Sequence, residues 1–258
     1  MRVKMDDSDE DINPFTSLLI NQDDKPNAFT TIQNEAPNQE LLQNHFLRSI
    51  QSTVIIRQLP SEGLSFQLWP AATSLVSLLD SHRIDPSNSP LSTVLTTTNN
   101  PPRILELGSG TGIVGIVAAA TLGSNVTITD LPHVVANLQF NAEANAGVVG
   151  SSGGVVTCAP LRWGHAADVE RMGSEFDVIL ASDVVYHDHL YEPLLETLRL
   201  MLVGNKIVFV MAHMRRWKKE SVFFKKAKKH FDVDVLHVDT PCNGSRVGVV
   251  VYRFVGKG

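Results

Sequence analysis

Apolar and polar positions along the chain fall into two regimes. From residue 103 onward, short runs of β-branched and aliphatic residues alternate with longer stretches of helical period. Strands are predicted at 103–107, 125–129, 155–158, 176–181, 206–212, 231–238 and 247–254. Helices are predicted at 113–121, 132–146, 189–202 and 215–229. Such alternation predicts a doubly wound α/β sheet with helices on both faces. The last two strands follow each other without a helix, joined by Asp239–Ser245, so an antiparallel hairpin is expected to close an otherwise parallel sheet. Before residue 103 the pattern is weaker. Thr53-Val-Ile-Ile-Arg57 reads as a strand, Gly63–Leu68 as its hairpin partner, and Ala71–Leu79 as a helix with Pro70 at its start.

The remaining segments punctuate this pattern. Residues 1–40 are acidic and polar and are read as a disordered, solubilising arm, with Pro14–Ile20 as a candidate docking segment. Residues 41–102 form an N-terminal extension on the core that ends in a proline-, serine- and threonine-rich loop, Asp85–Pro102. Residues 103–258 are the core. Ser151–Gly154 reads as a short flexible connector.

The chemistry begins at the first core strand, in Ile104-Leu-Glu-Leu-Gly-Ser-Gly-Thr-Gly112. A glycine-rich turn between strand and helix lets backbone approach a ligand closely. Gly110, Gly112 and Gly115 match the dinucleotide fingerprint G-x-G-x-x-G, but the glycine that follows the strand is Gly108. In that register the pattern is E-x-G-x-G-x-G, and Glu106 would disfavour a pyrophosphate. A cationic cofactor with an amino-acid end suits it better. Asp130, closing the next strand, stands where a carboxylate accepts both hydroxyls of a ribose. Trp163 offers a flat face for adenine. Together they point to S-adenosylmethionine. Taken singly, Glu106 also reads as half of a buried ion pair, Asp130 as a helix cap and Trp163 as core.

Two further stretches carry the picture to a family. Leu105–Gly115, with Val126-Thr-Ile-Thr-Asp-Leu-Pro132 and Asn137-Leu-Gln-Phe-Asn141, resembles the seven-β-strand class I methyltransferases. Asp183-Val-Val-Tyr186 resembles the D-x-x-Y hallmark of their protein lysine methyltransferase subfamily; Leu68-Trp-Pro-Ala-Ala72 and Trp163-Gly164 match its tryptophan motifs. The resemblance spans roughly residues 50–255. It implies a Rossmann-like seven-stranded sheet, mostly parallel, with cofactor contacts at Trp69, Gly108, Ser109, Gly110, Asp130, Trp163 and Ser182. Glu106 joins them from the reading above. Ser182 replaces an alanine common among relatives. The resemblance sets Asp183 against the incoming amine, where it would orient the ammonium while Tyr186 walls the channel. Asp183 also reads as a cap for helix 189–202. Val184-Val185, in place of the two prolines of amide- and nucleobase-methylating relatives, favours a lysine side chain of a protein substrate. Chaperones and translation factors are candidates by resemblance. A small-amine methyltransferase of the same fold and a non-catalytic cofactor-binding module remain as alternatives.

Composition narrows the rest. The chain has 258 residues, 43% of them hydrophobic and 19% charged, with a formal net charge of −5. No nucleic-acid partner is expected. The basic stretch Arg215–Lys229 reads as an amphipathic helix that packs Phe223 and Phe224 and solvates its lysines; its functional readings are a nucleic-acid surface and, second, a match to an acidic face on the protein substrate. Two cysteines make no disulfide framework. There is no membrane-length apolar run, no metal-ligand spacing, and no hydrolase or phosphate-loop motif. A cytoplasmic or nuclear monomer without a metal is the expectation. His187 and His189 read as exposed loop histidines, with a proton relay as the alternative.

Overall fold

The computed structural model describes residues 40–96, 101–203, 206–241 and 248–257. The expected arm, part of the 85–102 loop and part of the 239–245 connection lie outside them.

The core sheet has seven strands. These are β3 (Ile104–Leu107), β4 (Asn125–Asp130), β5 (Val155–Pro160), β6 (Val178–Ser182), β7 (Val208–Met214), β8 (Phe231–Val238) and β9 (Val249–Gly256), in the order β5-β4-β3-β6-β7-β9-β8. Pairings from β5 through β7 are parallel; β9 runs antiparallel to both β7 and β8. The chain winds outward from β3 through β4 to β5, then returns to β6 on the other side of β3. The carboxyl ends of β3 and β6 therefore flank a topological switch point, where open α/β sheets bind ligands.

Strand periodicity divides the core into two layers. Ile104 faces one side with Val178, Leu180, Val210 and Val251, under α1 (Pro70–Ile84) and α3 (Ile113–Leu122). Leu105 and Leu107 face the other with Ile179, Phe209, Met211 and Phe254, under α7 (Tyr191–Met201) and α8 (Ser221–Ala227). By the same alternation Glu106 shares the face of Ile104 and points beneath α3. Helix α3 is apolar on every side, and residues 113–121 are all buried between the sheet and α1. At the exposed edge, β8 carries Asp232 and Asp234, charges that discourage pairing with another chain.

The N-terminal extension departs from expectation. The hairpin partner of β2 (Ser52–Gln58) is β1 (Leu41–Leu47), not Gly63–Leu68. The latter region forms two 3₁₀ turns, Pro60–Glu62 and Leu64–Phe66, divided by Gly63 at φ +120° and closed by the Leu59 N–H donating to Phe66 O at 2.9 Å. Asp80 fastens the β1–β2 turn to α1, its carboxylate accepting from the N–H groups of Arg48 (3.0 Å) and Ser49 (2.9 Å).

The predicted helix at 132–146 is two helices, α4 (Val135–Ala144) and α5 (Ala146–Ser151). The break falls at Asn145, whose amide serves the edge of β2: Oδ1 accepts from Ile55 N–H at 2.9 Å and Nδ2 donates to Ile55 O at 2.8 Å. Asn141, one turn earlier, treats Arg57 in the same way, at 2.8 Å and 3.1 Å. Two side chains thus stand in for a third strand. The expected connector 151–154 is packed: a Cβ on Gly154 would lie 2.4 Å from Ala119 O. Two short helices escaped the sequence pattern, α2 (Ser92–Leu95) and α6 (Ala166–Met172).

Candidate active site

The carboxyl ends of β3, β4, β6 and β7 open into a cavity of about 500 Å³, roofed by Leu64–Leu68 and Trp69 and floored by the glycine-rich turn. This volume suits a small organic ligand. Of the residues expected to bind cofactor, Trp69, Gly108, Ser109, Gly110, Asp130, Trp163 and Ser182 line it, as do Asp183 and Tyr186.

Gly108 occupies the left-handed region at φ +61°, and a Cβ there would lie 2.7 Å from Cζ2 of Trp163. The turn and the indole thus fit against each other only because the side chain is absent. Trp163 is positioned from behind by Gly164, whose N–H donates to Thr197 Oγ1 on α7 at 2.8 Å. The indole N–H of Trp69 donates to Leu64 O at 3.0 Å. Ser109 knits the two strands below the turn: its N–H donates to Thr129 O at 2.9 Å and its hydroxyl accepts from Thr129 N–H at 3.0 Å.

Asp130 is buried at the end of β4. One carboxylate oxygen accepts from Gly110 N–H at 2.8 Å and the other from Leu131 N–H at 2.7 Å. Burial raises its pKa, and these two hydrogen bonds pull the other way. Each oxygen keeps a lone pair for a further donor. Tyr186 is also shifted upward, first by burial and then by the negative charge of Asp130. His187, on the cavity lining, stacks on His189 at 5.3 Å between centroids and meets the Tyr186 ring at a tilt, at 4.8 Å.

Glu106 is a correction. It is fully buried behind the turn and lies outside the cavity lining. Its Oε2 accepts from Gly115 N–H at 2.8 Å, an unsatisfied donor of the first turn of α3, and burial pushes its carboxyl up to about 8. It holds the turn from below. The same contact excludes a side chain at Gly115, where a Cβ would sit 2.7 Å from Glu106 Oε2.

Asp183 is the second surprise. It does not cap α7, which has no side-chain cap. It follows β6 at φ +54°, a strained conformation for a residue with a side chain. Both oxygens are engaged by Arg216: Oδ1 accepts from Nη1 at 3.1 Å and Oδ2 from Nη2 at 2.9 Å, while Oδ1 also accepts from Met214 N–H at 3.0 Å. The Arg216 guanidinium lies 5.2 Å from the Trp69 ring centroid. Its backbone N–H donates to Glu220 Oε2 at 3.0 Å, an oxygen also 3.1 Å from His213 Nε2. The predicted helix at 215–229 therefore starts late. Residues 215–217 precede a 3₁₀ turn at Lys218–Glu220, Arg216 and Glu220 are buried, and only 221–227 is α-helical. Phe223 packs in the core as expected, and Lys225 and Lys226 stay exposed.

Residues 49–230 match the model of a protein family described as lysine methyltransferase. The chain belongs to this family. It is 31% identical over 193 residues to the protein N-lysine methyltransferase METTL21A of Danio rerio, covering 75% of this chain and 78% of that one. It is 32% identical to the EEF1A lysine methyltransferase 3 of Mus musculus, covering 74% and 72%. In fold it is similar to the T. thermophilus 16S rRNA N2 G1207 methyltransferase solved with AdoMet and guanosine, at TM-score 0.54 and 18% identity, covering 84% of this chain and 50% of that one. As a family member, the enzyme takes its methyl group from S-adenosylmethionine and delivers it to lysine in a protein. The residues fit that donor: Asp130 keeps acceptor capacity toward the cavity, and the bare Cα of Gly108 gives backbone access beside an aromatic face.

Proposed function

We propose that the cavity holds S-adenosylmethionine along the carboxyl edge of β3 and β4 and receives the acceptor lysine beside Asp183 and Tyr186. When bound, that cofactor would supply a sulfonium methyl whose carbon an amine nitrogen attacks in line: the N–C bond forms, the C–S pair leaves on sulfur, and the nitrogen gives up a proton to water. Asp130 takes the ribose hydroxyls, the Gly108–Gly110 turn takes the methionine end, and Trp163 takes the adenine. Asp183 orients the amine, and Tyr186 narrows the channel and excludes water. With the nucleophile held in line, positioning supplies most of the rate enhancement. The observation that carries this assignment is that Asp130, at the end of β4, and the Asp183–Arg216 pair, at the ends of β6 and β7, line one cavity on either side of the β3 turn.

For the target we favour a translation elongation factor, on the similarity to the mouse EEF1A lysine methyltransferase 3. The test is transfer of label from S-adenosyl[methyl-³H]methionine to purified elongation factor 1A and, in parallel, to a whole-cell extract and to free amines. Label should enter lysine of a protein. Asp183→Asn should lose most turnover while keeping cofactor affinity by calorimetry. Label confined to free amines, or undiminished turnover by Asp183→Asn, would overturn the assignment.

A further inference from the structure

A free carboxylate beside the amine site would work against the reaction. It would stabilise the ammonium form of the substrate and raise a pKa that already stands near 10.4 in water. The nucleophile is the neutral amine, so an unopposed Asp183 would hold lysine in its unreactive state. The structure resolves this conflict through Arg216. Side chains of both residues are about 5% exposed or less, so little water screens them. The guanidinium closes both oxygens of Asp183 in a planar fork, backs onto Trp69, and borders the same cavity. Arginine keeps its charge throughout the working pH range, and its fork fits a carboxylate in two places at once.

We infer that Arg216 is a positioning residue that cancels the charge of Asp183 toward the substrate, turning a trap for an ammonium into an acceptor for the N–H of a neutral amine. Oδ1, accepting from Nη1 and from Met214 N–H, is filled, while Oδ2 keeps one lone pair; the paired carboxylate offers an approaching cation little net attraction. This inference rests on the function proposed above and deepens it. The other titratable groups around the pair are His213 from β7, with Nδ1 3.9 Å from Asp183 Oδ1, and Glu220, which faces His213. Tyr186, His187, Asp130 and Arg162 line the same cavity. His213 and Glu220 engage each other, which leaves Arg216 as the cation in direct contact with both Asp183 oxygens.

The experiment uses n-butylammonium chloride, the lysine side chain without its backbone, and follows tryptophan fluorescence in the presence of S-adenosylhomocysteine. Trp69 and Trp217 line the cavity and report on it. Folded wild-type protein should show no saturable binding of the cation at pH 7. Arg216→Gln should bind it saturably, about tenfold or more tighter than the lower limit that the wild-type titration sets, a ratio that corresponds to roughly one pKa unit in the bound amine. The acid limb of kcat against pH, measured on a labelled protein band, should move up by about one unit in Arg216→Gln. It should stay in place in Arg216→Lys, which restores charge without the fork and lowers kcat only. Saturable cation binding by the wild type overturns the inference without any variant, so a poorly folded substitution does not remove the test. It is overturned equally if Arg216→Gln and wild type share one affinity and one limb, if Arg216→Lys shifts as Arg216→Gln does, or if the limb vanishes in His213→Asn. A wild-type protein that methylates no protein sinks the proposed function instead, while the butylammonium comparison stands by itself.

Discussion

Gly108→Ala separates the geometry of the turn from its sequence motif. At φ +61°, an L-residue costs roughly 1–2 kcal/mol relative to glycine. The added methyl would also lie 2.7 Å from Trp163 Cζ2 and 3.0 Å from Val184 Cγ1. Both neighbours are packed, and forcing a methyl into such a place costs about 1–3 kcal/mol. A total of about 2–5 kcal/mol should lower the melting temperature by roughly 4–20 °C for a chain of this size. Because the strain is relieved by displacing Trp163, cofactor affinity should fall with stability, by tenfold or more. Gly147→Ala is the control: in α5 a Cβ meets nothing within 4 Å, and alanine there should stabilise by about 0.5–1 kcal/mol. Thermal unfolding and titration calorimetry with S-adenosylhomocysteine read both effects. If Gly108→Ala matches the wild type in melting temperature and affinity, the close fit of turn and indole is not what the site depends on.

The buried Glu106 predicts a pH slope. Its carboxyl titrates near 8 in the folded protein against about 4.5 in the unfolded chain, so between those values the native state holds a proton that the unfolded state has lost. Stability should be full below about 4.5 and fall by up to about 1.4 kcal/mol per unit as pH rises toward 8; urea unfolding of Glu106→Gln should show a flatter profile, and parallel profiles would refute the assignment. Asp130→Asn keeps the shape but surrenders acceptor capacity, and should weaken S-adenosylhomocysteine about tenfold or more by calorimetry with a smaller change in stability. Asn145→Ala leaves both backbone groups of Ile55 without their partner and should cost about 2–4 kcal/mol in urea unfolding; a cost within experimental error would show that solvent replaces the amide.

The glycine turn and Asp130 were legible because each answers a local demand: backbone bared after a strand, and an acid at the next strand end. Strand alternation gave the seven core strands to within a few residues. The same alternation also contained the correction to Glu106, since Ile104 and Glu106 must share a face. Arg216 was less accessible. It lies 33 residues from Asp183, and only the pairing of β6 with β7 brings them together. In a run of basic residues it looked like one more solvated cation. The signal was Glu220, the single acid between Arg215 and Lys229, four residues beyond Arg216. The β1 strand was missed because Leu41-Leu-Gln-Asn-His-Phe-Leu47 does not alternate cleanly, and its exposed face carries Leu42 and Phe46.

Asn141 holds more than a hairpin. The Nδ2 group that donates to Arg57 O also donates to Thr111 O, at 2.9 Å, one residue past Gly110. Removing everything before Pro60 would therefore do more than shorten the enzyme. It would take from Asn141 and Asn145 their partners on β2 and leave the bond from Asn141 to Thr111 O without its brace. The β1–β2 ribbon and the glycine turn that lines the cavity are thereby coupled through one buried amide.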